Sequence, residues 1–180
     1  MQPALQHAAR VLKQGGVVAY ATEYCFGLGC DPRNHAAVRR LLRIKRRPVS
    51  KGLIVLAGDL SQLSWYTDDI PTNVRDNWPG PYTWLLTPRV HVPAWITGKH
   101  PRIAARVTAH TQAAALCLAA DMAIISTSAN RAGETPARAY REVLRRFGNH
   151  IDYTLSGDVG DALAPTPIRD AQNGNIVRSG

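Results

Sequence analysis

Five short apolar runs alternate along the chain with segments of helical spacing, and this alternation restricts the fold more than any other feature. The runs contain many β-branched residues and are VVAYAT (17–22), GLIVLAG (52–58), YTWLLTP (82–88), RIAARV (102–107) and MAIISTS (122–128). Runs of that length and composition are typical of buried strands. Strands interleaved with helices predict an α/β fold with a mixed sheet and packed helices, although they leave the strand order open.

The segments between these runs carry start and stop signals for helices. Apolar residues from Leu5 to Leu12 recur at helical spacing before Gly15-Gly16. Asn34 is placed to cap a helix that ends near Arg46, because Pro48 disfavours helical backbone at the residue before it. The other predicted helices are a short one after Asp59, PTNVRDNW (71–78), TQAAALCLAA (111–120), and one that begins at Thr135-Pro136 and ends at Gly148.

The chain has the size of one domain. Its 180 residues, 45% of them hydrophobic, can bury one sizeable core, so we predict a single domain over residues 1–180. The N-terminus lacks the features of a signal peptide, and the longest apolar run is too short to span a bilayer. Three cysteines without metal-site or redox spacing predict reduced thiols in a cytoplasmic protein with no membrane contact. Asn173-Gly174 predicts a tight β-hairpin near the C-terminal end.

A strong positive charge points to a phosphate-bearing partner. Lys and Arg outnumber Asp and Glu by 22 to 13, which gives a net charge of +9, and this fits ATP, RNA or both. The chain has no P-loop, and its one Gly-x-Gly, Gly27-Leu28-Gly29, lacks the third glycine of a dinucleotide motif. The six histidines are not at metal-ligand spacing, so we predict no metal site in the protein itself.

The basic window from Arg39 to Lys51 holds seven Lys or Arg and no acid. At about 100° per residue, one side of the predicted helix carries Arg39, Arg40, Arg43 and Arg46, which is typical of a solvated face or of an RNA-binding surface. Lys45 lies in the middle of the opposite, apolar side. A lysine directed inward needs a nearby anion or a cleft that admits one.

A second polar cluster, Ser126-Thr127-Ser128-Ala129-Asn130, follows a predicted buried strand. Taken alone it is typical of a hydrogen-bonded turn, but ligands of open α/β sheets bind at the carboxyl ends of strands. A hydrolase that pairs Ser126 or Ser128 with Lys45 is a further alternative. Arg106 in IAARV is either a surface residue or a bidentate partner for a carboxylate.

Taken in order, these segments resemble the threonylcarbamoyl-AMP synthase family in its short, single-domain bacterial form (TsaC/YrdC). The resemblance runs from Val17 to Gly180 through AYATEYCFGLGCDP, LLRIKRRPVSKGLIVLA, WPGPYTWLL, AARVTAH, IISTSANRAGETP and TPIRDAQNGNIVRSG. Its most specific part is the KxR…SxN signature, which is matched by Lys45, Arg47, Ser128 and Asn130.

The resemblance implies a reaction in which L-threonine, bicarbonate or CO2, and ATP give threonylcarbamoyl-AMP and diphosphate, with Mg²⁺ accompanying ATP. It also implies a twisted mixed sheet with flanking helices that enclose a large, concave, basic cavity. The product would pass to a tRNA threonylcarbamoyl-transferase complex, for tRNAs that read codons beginning with A, and the basic surface would be free to contact tRNA. An RNA-binding module without catalysis, using the face Arg39–Arg46, is the alternative.

The resemblance also implies roles for individual residues. Those on the ATP side are Lys45, Arg47, Thr83, Ser128 and Arg178, and those facing threonine are Thr22, Arg106, Ser126 and Thr166. Lys45, Arg47, Ser128 and Asn130 form the implied catalytic set. Lys51 stands where the family often has histidine, so it is either a threonine contact or a solvated charge.

Overall fold

The computed structural model describes residues 2–179, within which six α-helices and nine strands occur. The helices are α1 (Pro3–Lys13), α2 (His35–Lys45), α3 (Thr72–Arg75), α4 (Ala94–Thr97), α5 (Thr111–Ala120) and α6 (Tyr140–Phe147). The strands are β1 (Val18–Ala21), β2 (Phe26–Gly29), β3 (Ile54–Ala57), β4 (Thr83–Leu86), β5 (Ile103–Val107), β6 (Ile124–Ser128), β7 (Tyr153–Thr154), β8 (Ile168–Asp170) and β9 (Ile176–Arg178). Short 3-10 helices cover Val49–Lys51 and Leu60–Leu63.

All nine strands join one sheet in the order β7-β1-β2-β6-β3-β5-β4-β8-β9. The β1–β7, β3–β5 and β4–β8 pairs are parallel, and the others are antiparallel. The predicted α/β architecture, a twisted mixed sheet with flanking helices, is therefore confirmed. No helix within residues 2–179 is long and apolar enough to cross a membrane.

Alternation along the strands divides the core into two layers. Tyr20, Leu56 and Ile124 face α1 and α5, and all three are fully buried. Their strand neighbours Ala19 and Val55 point to the other face, where α2 and α6 pack. Because successive side chains of a strand point to opposite faces, each apolar run supplies both layers at once.

Helix α2 follows its sequence signals closely. The side chain of Asn34 accepts a hydrogen bond from the backbone N–H of Ala37 at 3.1 Å, which is the predicted cap. The helix ends where Arg46 adopts a left-handed conformation with φ 51°. The N–H of Arg47 then bonds to the carbonyl of Leu42 at 3.0 Å, so Arg47 leaves the helix in a fixed direction before Pro48.

Helix α6 shows that one predicted start was wrong. The sequence indicated a helix from Thr135-Pro136, whereas α6 begins only at Tyr140. The intervening backbone is held instead by β2 and by the residue that follows β6. The N–H of Ala137 donates to the carbonyl of Ala129 at 3.0 Å, and the carbonyl of Ala137 accepts from Phe26 at 2.8 Å. These pairings keep the segment extended and override its local helix signal.

The C-terminal hairpin and β2 also differ in detail from the prediction. Strands β8 and β9 pair antiparallel, which confirms the hairpin, but five residues separate them, so the connection is not a two-residue turn. Residues 23–29 lie outside the apolar runs that predict strands, yet they contain strand β2. A Cβ at Gly29 would lie 2.5 Å from the carbonyl oxygen of Ile125, so glycine is needed for this close approach.

Candidate active site

The cavity lies on the part of the sheet that α1 and α5 leave uncovered. Leu56 pairs with Arg106 across β3 and β5, and Ile54 pairs with Ser126 on β6. Paired residues share a face, so these side chains all lie on the same side as α1 and α5. The two helices cover Leu56 and Ile124, and beyond them a cavity of about 520 Å³ opens.

Eight of the eleven residues predicted for the site line this cavity. They come from six different parts of the chain and are Thr22, Arg47, Lys51, Arg106, Ser126, Ser128, Thr166 and Arg178. Arg102 also lines it, and among residues 2–179 no Asp or Glu belongs to the lining. The basic character of the cavity as a whole stays a prediction. Lys45, Thr83 and Asn130 are not lining residues.

Lys45 lies behind the cavity wall, and only 4% of it is exposed. Its Nζ donates to the carbonyl oxygen of Asn130 at 2.8 Å and to that of Ser128. Its own carbonyl accepts from the N–H of Ala132 at 3.1 Å. Burial, and then the charge of Arg47, lower the pKa of Lys45 to about 8, while the two carbonyl acceptors favour the ammonium form. The inward direction predicted for Lys45 is confirmed, and here its partners are backbone carbonyls.

Asn130 and Ser128 close the same turn. Ser128 Oγ donates to Asn130 Oδ1 at 2.5 Å. The amide nitrogen of Asn130 donates to the carbonyl oxygens of Glu134 at 2.8 Å and Arg131 at 3.0 Å. Since Ser128 Oγ bonds to Asn130 and Lys45 Nζ to carbonyls, these contacts are not those of a serine–lysine hydrolase pair.

Arg47 and Arg178 are two cationic residues of the cavity lining. Arg47 Nη2 donates to the carbonyl oxygen of Gly52 at 3.0 Å, and Arg178 Nη2 donates to that of Thr166 at 3.1 Å. Burial and the nearby Arg178 lower the pKa of Arg47. Partial burial, together with the charge of Arg106, lowers the pKa of Arg178. Concentrated positive charge of this kind favours an anionic ligand.

Arg106 is the third arginine of the predicted site that lines the cavity. It is 5% exposed, its Nη1 donates to Thr166 Oγ1 at 2.8 Å, and its Nη2 lies 3.3 Å from Glu23 Oε2. Thr83 stands behind, with its hydroxyl 3.4 Å from that of Thr166. Sequence reasoning missed Glu23. Its position next to Thr22 gave no sign that it would fold toward β5.

The predicted arginine face of α2 is present but is not uniform. Arg39, Arg43 and Arg46 are exposed. Arg40 instead forms an ion pair with Asp152, at 2.5 Å, and donates to the carbonyl of His150 at 2.9 Å. Three of the four arginines are therefore available to a partner.

The histidines and cysteines form no metal centre in the described part of the chain, since residues 2–179 contain no group of three or more His, Cys, Asp or Glu that could hold a metal. Cys25 lines the cavity, but burial raises the pKa of its thiol to about 11. The neutral thiol is a poor nucleophile, which makes Cys25 a packing residue.

The model of the Sua5/YciO/YrdC family, described as telomere recombination, matches residues 10–180. The chain belongs to this family. Proteins named threonylcarbamoyl-AMP synthase are similar over almost their whole length. The one from Halorhodospira halophila is 48% identical over 178 residues, which cover 97% of this chain and 93% of that protein. The one from Alkalilimnicola ehrlichii is 51% identical over 179 residues, with 97% and 94% coverage.

Solved structures of the family have the same fold. P. abyssi Sua5, crystallised with L-threonine, matches 96% of this chain with a TM-score of 0.88 and 28% identity. The match covers 52% of Sua5, so the chain spans about half the length of that relative. E. coli YciO matches all of this chain and 90% of its own, with a TM-score of 0.85 and 28% identity.

Proposed function

We propose that the chain is a threonylcarbamoyl-AMP synthase, which converts L-threonine, bicarbonate or CO2, and ATP into threonylcarbamoyl-AMP and diphosphate. Relatives of that name, 47–51% identical and matched over 93–97% of their length, support the proposal. The observation that carries it is the convergence of Arg47, Arg106 and Arg178 with the hydroxyls of Ser126 and Ser128 on one cavity. This nucleotidyltransferase activity is favoured over an RNA-binding module without catalysis.

The chemistry requires two anions to meet. The amine of threonine captures CO2 as a carbamate, and a carbamate oxygen attacks the α-phosphorus of ATP in line with the departing diphosphate. The protein has little covalent work to do, and its main tasks are to hold the reactants and to stabilise charge. Arginines and small hydroxyls suit those tasks, while the recessed cavity limits hydrolysis of the labile carbamate and the mixed anhydride.

On the ATP side, Arg47, Ser128 and Arg178 are the proposed phosphate contacts. Lys45 and Asn130 contribute by holding the 128–130 turn that presents Ser128, as their hydrogen bonds indicate. Thr83 contributes through its contact with Thr166. Lys45 adds positive charge directly behind the wall, where a partly desolvated charge acts more strongly than in water.

On the threonine side, Arg106 is the proposed partner of the carboxylate, with Thr22, Ser126 and Thr166 around it. Thr166 accepts a hydrogen bond from Arg106 and thereby lies next to the same group. Lys51 is exposed at the mouth of the cavity, which suits an incoming anion better than a buried threonine contact.

Mg²⁺ is the proposed cofactor and supplies charge neutralisation of the phosphates. Mg²⁺ prefers oxygen ligands. The described lining offers hydroxyls of Ser126 and Ser128 but no carboxylate, so the residues fit an ion carried in on ATP and not one held by the protein. We also propose a single domain over residues 1–180, a cytoplasmic location, contact with tRNA through exposed arginines of α2, and transfer of the product to a tRNA threonylcarbamoyl-transferase complex.

Diphosphate release by the purified protein tests the proposed reaction directly. ATP and Mg²⁺ are supplied, and threonine and bicarbonate are omitted in turn. We expect release that needs both, together with a product whose mass is that of threonylcarbamoyl-AMP. Release that ignores threonine, or no release at all, would contradict the proposed function.

A further inference from the structure

Glu23 is an acid that contacts Arg106 from outside the cavity, whose lining does not include it. Its Oε1 accepts a hydrogen bond from Thr108 Oγ1 at 2.6 Å, and its Oε2 lies 3.3 Å from Arg106 Nη2. The side chains of Glu23 and Arg106 are 12% and 6% exposed. The pair is therefore an interior feature, in which geometry counts more than in a surface ion pair.

The carboxylate of Glu23 is held by the hydroxyl of Thr108 as well as by Arg106. Thr108 is 1% exposed, and its hydroxyl also accepts a hydrogen bond from the N–H of His110 at 3.1 Å, next to the start of α5. The main chain of Glu23 is tied too, since its carbonyl accepts from Ala162 at 3.2 Å. The carboxylate of Glu23 cannot rotate away from Arg106 without also breaking its hydrogen bond to Thr108.

These anchors determine what Arg106 can offer to a ligand. Its guanidinium donates a hydrogen bond from Nη1 to Thr166, and its Nη2 forms an ion pair with Glu23, so the two contacts together restrict the plane of the fork. Neither Arg106 Nε nor Glu23 Oε2 has a hydrogen-bond partner among residues 2–179, so the hydrogens of Nη2 are not committed to Glu23. A planar fork fixed in advance can bind a carboxylate without losing further side-chain freedom on binding.

We propose that Glu23 is a positioning residue for the reaction, which holds the guanidinium of Arg106 ready for the carboxylate of the amino-acid substrate. This inference rests on the proposed function, in which Arg106 receives that carboxylate. The same contact has an opposite interpretation, in which Glu23 occupies the fork and competes with the substrate. The two interpretations predict opposite changes in the affinity for threonine.

The main test is Glu23→Gln, which keeps the shape of the side chain and an oxygen for Thr108 but removes the charge. If Glu23 positions Arg106, KM for threonine rises about tenfold or more, the effect of weakening one charge-assisted contact, while KM for ATP changes less than twofold. A fall in KM for threonine supports competition and overturns the proposal, as does an unchanged KM. Calorimetric titration with threonine repeats the comparison without turnover.

Two further variants separate positioning from general damage to the fold. Thr108→Val is nearly isosteric and frees the carboxylate of Glu23 without removing its charge, so KM for threonine should rise by a smaller factor. In an Arg106→Lys background, Glu23→Gln should have little additional effect on that KM, because both changes act through one contact. Fully additive effects would contradict the proposal.

Glu142→Gln is the matched control, since it removes one acid on α6 away from the cavity and should leave KM for threonine unchanged. Thermal unfolding checks that each variant is folded. The assay of the unmodified protein keeps the two hypotheses apart. Threonine-dependent diphosphate release there with unaltered kinetics in Glu23→Gln refutes only the role of Glu23, whereas no threonine-dependent release refutes the proposed function.

Discussion

Lys45 and Arg47 are two residues apart in the proposed signature, yet they meet the cavity differently. Lys45 is buried, and its ammonium group donates hydrogen bonds to two carbonyls of the 128–130 turn. Arg47 lies beyond the end of the helix and lines the cavity itself. One residue therefore shapes the wall, and the other can touch the ligand.

Substitution of these two residues should separate stability from turnover. Lys45→Met removes the ammonium donor from the part-buried carbonyls of Ser128 and Asn130, although the Ser128 carbonyl keeps its hydrogen bond from the N–H of Asn130. The substitution should lower the free energy of unfolding by about 1–3 kcal/mol as well as the turnover. Arg47→Ala should reduce kcat/KM by about two to three orders of magnitude with little change in stability. Denaturant unfolding and the diphosphate assay measure both. Equal stability losses in the two variants would contradict this division of roles.

The lowered pKa of Lys45 predicts opposite trends for stability and activity. The folded protein binds this proton less tightly than the unfolded chain does, because the pKa falls from 10.5 to about 8. Unfolding therefore takes up a proton between those values, and the free energy of unfolding should rise with pH across this window.

Turnover should instead fall as Lys45 loses its charge, with an apparent pKa near 8. The free energy of unfolding is measured against pH for the unmodified protein and for Lys45→Met, which lacks the titrating group. The difference between the two curves gives the contribution of Lys45. A stability difference that falls between pH 8 and 10 would contradict the direction of the shift.

At the scale of elements, β2 is the least expected part of the sheet. Two of its four residues are glycines, which weaken a strand on propensity grounds. Their role is set by β1, whose Tyr20 ring lies against both. A Cβ at Gly27 would come within 3.3 Å of Tyr20 Cζ, and one at Gly29 within 2.9 Å of Cε1.

Alanine at these two glycines should have different effects. Gly29→Ala meets the Ile125 carbonyl as well as the ring, so it should cost about 1–3 kcal/mol of stability through overpacking. Gly27→Ala meets the movable side chains of Thr22 and Ser126 at 3.3 and 3.4 Å. Because both line the cavity, Gly27→Ala should raise KM for threonine and lower the melting temperature less. The opposite ranking of melting temperatures would contradict this account.

The elements that the sequence predicted well are those whose signals are local. Helix α5 covers the predicted residues 111–120, and α2 begins at its Asn34 cap. The late start of α6 depends on a backbone bond between Ala137 and the distant Phe26, and β2 pairs with the distant β6 as well as with its neighbour β1, so no local pattern contains all of these partners. Similarly, the position of Arg106 in its strand indicated a possible carboxylate partner. Its contact with Glu23, however, depends on how the β1–β2 turn folds back.

At the scale of the whole molecule, the cavity and the exposed arginines of α2 form separate surfaces. Arg39, Arg43 and Arg46 are exposed and do not line the cavity. Substrate chemistry and any contact with nucleic acid are therefore expected to respond to different substitutions.

Neutralising these three arginines should weaken tRNA binding almost equally for all sequences. Each lost phosphate contact should reduce the slope of log K against log salt by about 1. Filter binding across a salt series measures the slope, and diphosphate release serves as the parallel control. An unchanged slope would show that this face does not contact tRNA.

One face of the sheet is covered partly by helices and partly by the cavity. The register of each strand therefore decides which of its side chains reach the site. Arg106 faces the site while Ala105 and Val107 belong to the core. A one-residue insertion within β5 would turn the arginine into the core and an apolar neighbour into the site. No later substitution at a single position could repair both errors. Length changes in these strands should therefore be far rarer among functional homologues than changes in residue type, and should be confined to the connecting loops.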